Sequence, residues 1–318
     1  MKYIPNRHTR AVVTNRVNLF AVFIMVFSLG CGCTGQQRFD DSILWSVEHP
    51  VTGARSYVMG TIHELDTNYI TLPLDRIAAL IAETDFLCLE VKLSETRQQA
   101  AKFGKAMFLS DTAQHVMKAL DEPYQTELLG LLQSGKLANA LPWELALPRL
   151  KPQAISFFLL MGNQQRSPLF QEANFQPESH FEQYAEANGI RVMGFEKSGD
   201  QLSYMIRDDG TSFEDGIEQL KASIDYFSED NAERIDIYAN YRQQNLSLLP
   251  QEVYEDSIMV MRNRNMALKA DSMMQDNTIF LMIGAAHLPF SSGVLQLLQD
   301  KGYQVRPIEV VIPLKESR

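Results

Sequence analysis

The chain has 318 residues, of which 45% are hydrophobic and 21% are charged, and its formal net charge is −10 at pH 7. These fractions are typical of a folded globular protein, and they exclude both a disordered chain and a membrane protein with many spans. The negative charge argues against nucleic acid as a partner, because a phosphate-binding surface needs a cluster of Lys and Arg, which the sequence lacks after its N-terminal leader.

The N-terminal residues predict export from the cytoplasm. Basic residues precede an apolar run over 17–29, a pattern typical of a secretory signal peptide. We therefore assign residues 1–30 to a signal peptide and residues 31–42 to a solvated tether. Gly30 and Cys31 resemble the junction of a bacterial lipoprotein signal, which predicts a periplasmic or cell-envelope protein with a lipid anchor at Cys31. A cleaved soluble signal and an uncleaved membrane anchor remain alternatives.

The folded part begins with a predicted βαβ unit. Residues 43–47 and 56–59 form a predicted hairpin, residues 74–84 show the apolar spacing of a helix, and residues 86–91 form a nearly continuous apolar strand. A right-handed crossover makes the second hairpin strand and strand 86–91 parallel, and we expect them to be neighbours. The expected geometry brings His63 and Glu90 to the same sheet edge.

The rest of the chain alternates between helical segments and a few strands. Residues from about 94 to 180 have helical periodicity without a strand candidate, which predicts a large helical insertion. Further strands are predicted over 190–194, 278–283 and 303–308. We therefore assign residues 43–318 to one α/β domain, with a small mainly parallel or mixed sheet flanked by helices.

One short pattern occurs twice in the sequence. Gly60 and His63 follow one apolar strand with the spacing GxxH, and Gly284 and His287 follow another. Ligands bind at the carboxyl ends of parallel strands, where a glycine lets the backbone turn tightly. We therefore expect the two histidines to meet in space, beside Glu90. Either histidine taken alone would more often be a hydrogen-bonded structural residue than a ligand.

Two imidazoles and one carboxylate are suitable ligands for a divalent ion such as Mn²⁺, Co²⁺, Zn²⁺ or Fe²⁺, with coordination positions left for water and substrate. A metal of this kind acidifies water and polarises a carbonyl, so hydrolysis is the predicted chemistry. The metalloprotease motif HExxH is absent, because Thr67 stands where its second histidine would be. Nucleophile-elbow, phosphate-loop and dinucleotide-binding motifs are absent as well.

The sequence resembles the TraB/PrgY/GumN family from about residue 43 to residue 308. The resemblance is carried by short motifs along the chain: Gly60-Thr61-Ile62-His63, Glu90, Lys151-Pro152, Gly194-Phe195-Glu196 with Gln201, Arg262-Asn263 with Met266-Ala267, and Gly284-Ala285-Ala286-His287. It implies an erythromycin-esterase/ChaN-like α/β fold. It also implies a metal-dependent hydrolase similar to the TIKI-type proteases, with a peptide or protein as substrate and with His63, Glu90 and His287 at the centre.

We assign hypothetical roles to the residues of this constellation. His63 and His287 bind the metal, and Glu90 is either a third ligand or the general base. Arg262 stabilises an oxyanion or a substrate carboxylate and Asn263 orients one of these groups, although both could equally belong to a buried polar network.

Two acidic residues are placed outside the metal site. Glu196 is interpreted as a structural partner of Arg262. The family tends to have Gly-x-Asp where this chain has Gln176-Pro177-Glu178, so no role is assigned to Glu178.

The sequence thus predicts an exported metal-dependent hydrolase that acts on peptides. The alternative is a non-catalytic envelope protein that binds a secreted peptide or assists polysaccharide export, with the Met-rich helical insertion as its groove. A member that retains only the fold is a third possibility.

Overall fold

The structure is a computed structural model that describes residues 42–93, 104–111, 113–133, 141–164, 174–205, 212–228, 237–249 and 254–312. The predicted signal peptide over residues 1–30, the lipidation site at Cys31 and nearly all of the tether over 31–42 lie outside these residues. Within the described ranges, no helix combines the length and the apolar character needed to cross a bilayer.

The core of the fold is a mixed six-stranded sheet, so the predicted α/β class is confirmed. The strands are β1 (Leu44–Glu48), β2 (Arg55–Thr61), β3 (Phe86–Val91), β4 (Arg191–Glu196), β5 (Ile279–Gly284) and β6 (Gln304–Pro307). Their order across the sheet is β4-β3-β5-β2-β1-β6. Strands β2, β5, β3 and β4 are mutually parallel, whereas β1 pairs antiparallel with both β2 and β6.

The predicted adjacency of β2 and β3 is wrong, because β5 lies between them and pairs with both. The physical reason is burial. All residues of β5 except Gly284 are buried, and a strand that is apolar on both faces is stable only in the interior of a parallel sheet. The parallel direction of β2 and β3 is as predicted, so their carboxyl ends still share one edge of the sheet.

Eleven α-helices are assigned within the described residues. They are α1 (Leu74–Ala82), α2 (Val116–Ala119), α3 (Glu122–Leu132), α4 (Trp143–Ala146), α5 (Pro152–Gln164), α6 (Pro177–Ala187), α7 (Ser198–Met205), α8 (Phe213–Ser228), α9 (Ile237–Arg242), α10 (Ser257–Met274) and α11 (Val294–Asp300). A 3₁₀ turn, Ala285–His287, follows β5 directly.

The buried apolar side chains form two separate clusters. The larger one surrounds the sheet and includes residues of α1, α6, α10 and α11. The smaller one is formed by α2 to α5 together with α8, whose Ile217, Leu220 and Ile224 pack against the insertion. The helices of this smaller cluster therefore come from two separate parts of the chain, α2 to α5 before β4 and α8 after it. Cys88 is a buried free thiol in β3, as its apolar surroundings predict.

Candidate functional site

The candidate site lies where the parallel strands β2, β5, β3 and β4 end. Thr61 ends β2, Gly284 ends β5, Glu90 lies one residue before the end of β3, and Glu196 ends β4. The shared direction of these strands places the four ends on one edge, as expected for a ligand site in an open α/β sheet. The site residues therefore come from segments far apart in sequence.

Glu90 is buried at the centre of this edge, and both of its carboxylate oxygens have partners. Oε1 accepts hydrogen bonds from Arg262 Nη2 and from Gln201 Nε2, the latter at 2.7 Å. Oε2 accepts the backbone N–H of Gly284 at 3.1 Å. Burial by itself raises the pKa of Glu90, but His287, Arg262 and His63 lower it to about 2. Glu90 is therefore ionised throughout the physiological range.

Arg262, from α10, links Glu90 to Glu196. Its Nε and Nη2 donate to the two oxygens of Glu196 at 2.9 and 2.8 Å, so the pair is bidentate. Burial opposes the charge of Arg262, but the two carboxylates outweigh it and raise its pKa further. Burial raises the pKa of Glu196, and Arg262 offsets only part of this effect. The predicted pairing of Glu196 with Arg262 is confirmed.

His287 is buried in the 3₁₀ turn after β5, between Asn263 and Glu90. Its Nδ1 lies 2.6 Å from Asn263 Oδ1, and its Nε2 lies 3.7 Å from Glu90 Oε2. Asn263 Nδ2 donates to the carbonyl of Ser292 at 2.9 Å, which leaves Oδ1 as the acceptor for an Nδ1–H group. Burial lowers the pKa of His287 to about 4, so the ring is neutral and Nε2 carries a lone pair.

His63 follows β2 and has a different environment. Its Nδ1 lies 2.8 Å from Oε1 of the buried Glu178, in the first turn of α6, while 67% of the His63 side chain remains exposed. Thr61 Oγ1 donates to the same Glu178 oxygen at 2.6 Å. The charge of Glu178 raises the pKa of His63 to about 9. The charge of His63 also lowers the pKa of both Glu90 and His287, although less than the main causes do.

Of the two GxxH glycines, Gly60 is the one that close packing requires. A Cβ on Gly60 would lie 2.8 Å from Leu288 Cδ1 and 2.9 Å from Ala285 Cα, which is too close for any other residue. A Cβ on Gly284 would lie 3.4 Å from Glu90 Oε2, an ordinary contact. Gly60 is therefore required for packing of β2 against the turn that carries His287.

The donor set is chemically suited to a divalent metal ion. Each histidine has Nδ1 beside an oxygen acceptor and Nε2 left over, which is the usual arrangement of metal-binding histidines. Nε2 of His287 lies 3.7 Å from Oε2 of Glu90, and the lowered pKa values of both groups leave a lone pair on each atom at neutral pH. No set of three His, Cys, Asp or Glu side chains is close enough to form a ready-made metal cluster within the described parts of the chain. The donor types suit a divalent metal, but His63 lies outside the Glu90–His287 pair, so a metal site formed by these three residues stays a prediction.

The model of the TraB/PrgY/gumN family matches residues 43–307, which is most of the chain. The chain belongs to the TraB/PrgY/gumN family. Comparison with curated proteins and with solved structures gives no match. Family membership thus agrees with the predicted resemblance and covers every residue of the site.

The structure joins four of the predicted site residues of this TraB/PrgY/gumN protein, His287, Glu90, Arg262 and Asn263, in one connected network. His63 contacts Glu178 instead. Their catalytic and metal-binding roles stay predictions.

Three contacts in the site were not predicted from the sequence. Glu178 accepts from Thr61 and pairs with His63, and Gln201 donates to Glu90. Gln201 lies in a motif that carries the family resemblance, and Glu178 follows a proline at a helix start, where an acidic side chain is favoured. Both signals could have drawn attention to these residues.

Proposed function

We propose that this protein is an exported metal-dependent hydrolase of the TraB/PrgY/gumN family and that its substrates are peptides. The observation that carries the proposal is the pair formed by His287 Nε2 and Glu90 Oε2, 3.7 Å apart. Both atoms are acceptors at neutral pH, because the ring is neutral and the carboxylate is ionised. A divalent cation could bridge this gap of 3.7 Å, because metal–ligand bonds of about 2 Å would reach both atoms.

His63, His287 and Glu90 are the residues that would hold a divalent ion, with Mn²⁺, Co²⁺ or Zn²⁺ as candidates. When bound, such an ion would supply Lewis acidity to polarise a peptide carbonyl. The ligand role suits Glu90 better than the general-base role, because a carboxylate with a pKa of about 2 is a weak base near neutral pH.

Arg262 and Asn263 would act by positioning and by charge. Arg262 pairs with both Glu90 and Glu196, so it makes two negative charges more tolerable in a buried site. The two carboxylates leave this cluster with an excess negative charge, so the oxyanion role of Arg262 would require a bound metal ion to offset that charge. Asn263 fixes the tautomer of His287 and thereby presents Nε2 to the metal.

The peptide substrate, the export and the lipid anchor at Cys31 are further parts of the proposal. The substrate class follows from the resemblance to TIKI-type proteases, and export follows from the apolar run over 17–29 behind a basic N-terminus. Globomycin treatment of cells, which blocks processing of lipoprotein signals, should cause the unprocessed precursor to accumulate. Normal processing under this treatment would contradict the lipid anchor.

The test of the function is metal analysis of the purified protein combined with peptide hydrolysis. We expect about one transition-metal ion per chain, activity that is lost with a chelator and restored by Mn²⁺, Co²⁺ or Zn²⁺, and loss of both metal and activity in His63→Ala and His287→Ala. His115→Ala is the matched control, because His115 lies at the start of α2 and takes part in none of the described site contacts. A folded protein that binds no metal and cleaves no peptide would favour the non-catalytic binding protein instead.

A further inference from the structure

We propose that Glu178 is the positioning residue of His63: it holds Nδ1–H of the ring so that Nε2 is the nitrogen offered to the metal. This inference rests on the proposed function and adds to the site a residue to which the sequence patterns assign no role. It concerns a side chain in the first turn of α6, the helix that packs beside β4 and β3.

The geometry around Glu178 is that of a fixed acceptor. The carboxylate is buried, whereas most of the His63 ring is exposed, so the carboxylate is the constrained partner and the ring the adjustable one. Oε1 accepts from His63 Nδ1 at 2.8 Å and from Thr61 Oγ1 at 2.6 Å, which uses both lone pairs of that oxygen. An exposed histidine without such a partner would sample several rotamers and both tautomers.

The backbone around Glu178 is fixed as well. Pro177 occupies the first turn of α6, where its restricted φ favours the helix start, and the helix N-terminus favours the carboxylate of Glu178. Just before the helix, Phe175 forms an isolated β-bridge with Leu65, two residues after His63. Its N–H and C=O both bond to Leu65, at 3.0 and 2.8 Å. The loop of His63 and the start of α6 are thus joined by backbone hydrogen bonds as well as by the side-chain contact.

The two histidines of the site consequently have parallel arrangements with different acceptors. Asn263 is a neutral acceptor for the buried His287, whereas Glu178 is a charged acceptor for the exposed His63. A charged acceptor forms the stronger hydrogen bond, which an exposed ring needs because water competes for the same N–H. The difference in acceptor follows the difference in burial.

The experiment compares Glu178→Ala and Glu178→Gln with wild type in zinc affinity and in the state of the histidine ring nitrogens. Zinc affinity is measured by competition with a chromophoric chelator. The ring nitrogens are measured by long-range ¹H–¹⁵N correlation after ¹⁵N-histidine labelling, which gives few signals because the chain has 6 histidines. The signals of His63 are assigned by their loss in His63→Gln. The matched control is Glu182→Gln, one turn further along α6, whose buried carboxylate accepts from the N–H of Leu93 and not from a histidine.

We expect Glu178→Ala to lower zinc affinity by about 10- to 100-fold, the usual effect of losing the partner of a metal-binding histidine. In the zinc-loaded wild type, His63 should show a protonated Nδ1 and a metal-bound Nε2, and Glu178→Ala should lose this preference while the His287 signals stay unchanged. Glu178→Gln keeps an oxygen acceptor, so its zinc affinity should lie between those of wild type and Glu178→Ala. This variant therefore tests the role of Glu178 even if Glu178→Ala does not fold.

Wild-type zinc affinity and unchanged His63 signals in Glu178→Ala would overturn the proposal, as would an equal loss in Glu182→Gln. A wild-type protein that binds no metal contradicts the proposed function by itself. In that case the metal-free spectra at alkaline pH decide the role of Glu178: a shift of the His63 tautomer ratio in Glu178→Ala supports positioning, and an unchanged ratio contradicts it.

Discussion

Asn263 and His287 form a buried pair in which Oδ1 of the amide lies 2.6 Å from Nδ1 of the ring. The amide is itself held by its bond to the carbonyl of Ser292, so the ring orientation depends on a loop that follows the second GxxH turn. A fixed amide next to a buried neutral ring determines which ring nitrogen carries the proton.

Asn263→Ala should therefore destabilise the protein and weaken metal binding. The buried Nδ1–H loses its acceptor, which costs about 1–3 kcal/mol in the free energy of unfolding. Urea denaturation in the presence of a chelator measures this cost. Asn265→Ala is the control, because Asn265 is an exposed residue of the same helix. Equal stability of the two variants would contradict the importance of the amide.

Replacement of Arg262 should have a larger effect on stability. Arg262→Met leaves the buried carboxylates of Glu90 and Glu196 without their shared cation, and breaking such a pair costs about 3–5 kcal/mol. Arg264→Met on the exposed side of the helix should be nearly neutral. On acidification, the Arg262→Met variant should lose less stability than wild type. The reason is that protonation of Glu90 and Glu196 removes the buried negative charges that the variant leaves without a cation. Equal acid sensitivity of the two proteins would argue against this origin of the loss.

The two histidines should make the free energy of unfolding of the metal-free protein depend on pH in opposite directions. His287 should reduce this free energy at acidic pH. Its pKa in the folded protein is about 4, against an ordinary value of 6.5. The unfolded chain therefore takes up a proton that the folded protein does not, and the free energy of unfolding falls as the pH drops from 6.5 towards 4. His287→Gln should flatten this limb in urea titrations at a series of pH values. Glu90 adds a further loss below pH 4.5, as the pH falls towards its folded pKa of about 2.

His63 governs the alkaline side. Its pKa rises from 6.5 to about 9 on folding, so the folded protein keeps a proton that the unfolded chain has lost. The stabilisation is complete below pH 6.5 and is lost as the pH rises from 6.5 through 9. His63→Gln or Glu178→Gln should remove this limb. Because the ring is largely exposed, high salt should reduce the effect in wild type. If both variants still lose stability at alkaline pH as wild type does, the loss must come from another titrating group.

Metal binding should depend on pH for the same reason. A metal ligand must be deprotonated, so zinc has to displace a proton from His63 at neutral pH. Apparent zinc affinity should therefore rise with pH up to about 9, where the ring becomes neutral without the metal. Chelator competition between pH 6.5 and pH 9, the ordinary and the folded pKa of the ring, measures this slope. An affinity independent of pH would mean that His63 is not a ligand.

Gly60→Ala should destabilise the sheet edge. The added methyl group would lie 2.8 and 2.9 Å from side-chain and backbone atoms that follow β5, and overpacking of this kind costs about 1–3 kcal/mol. Gly130→Ala is the contrasting variant, because nothing lies within 4 Å of its Cβ position in α3. That substitution should stabilise the helix by about 0.5–1 kcal/mol. Thermal unfolding of both variants measures the difference, and a stable Gly60→Ala protein would contradict the close approach of the two turns.

The amino-acid sequence by itself determined the strands, their parallel direction and the placement of His63, Glu90 and His287 at or just after strand ends that share one edge. These features follow from local patterns, because apolar runs identify buried strands and a crossover helix fixes their direction. The pairing of Arg262 with Glu196 was also predictable, since a buried arginine needs a carboxylate and only a few lie near strand ends.

The tertiary structure alone decided the strand order and the partners of the histidine rings. Strand β5 lies between β2 and β3 although it comes about 190 residues after β3, and β-pairing at such a distance depends on how all layers pack. The contact between His63 and Glu178 spans 115 residues and requires the insertion to return to the sheet at α6. The sequence thus identified the histidines, but only the packing of distant helices decided which acceptor faces each ring and so which nitrogen is free to bind a metal.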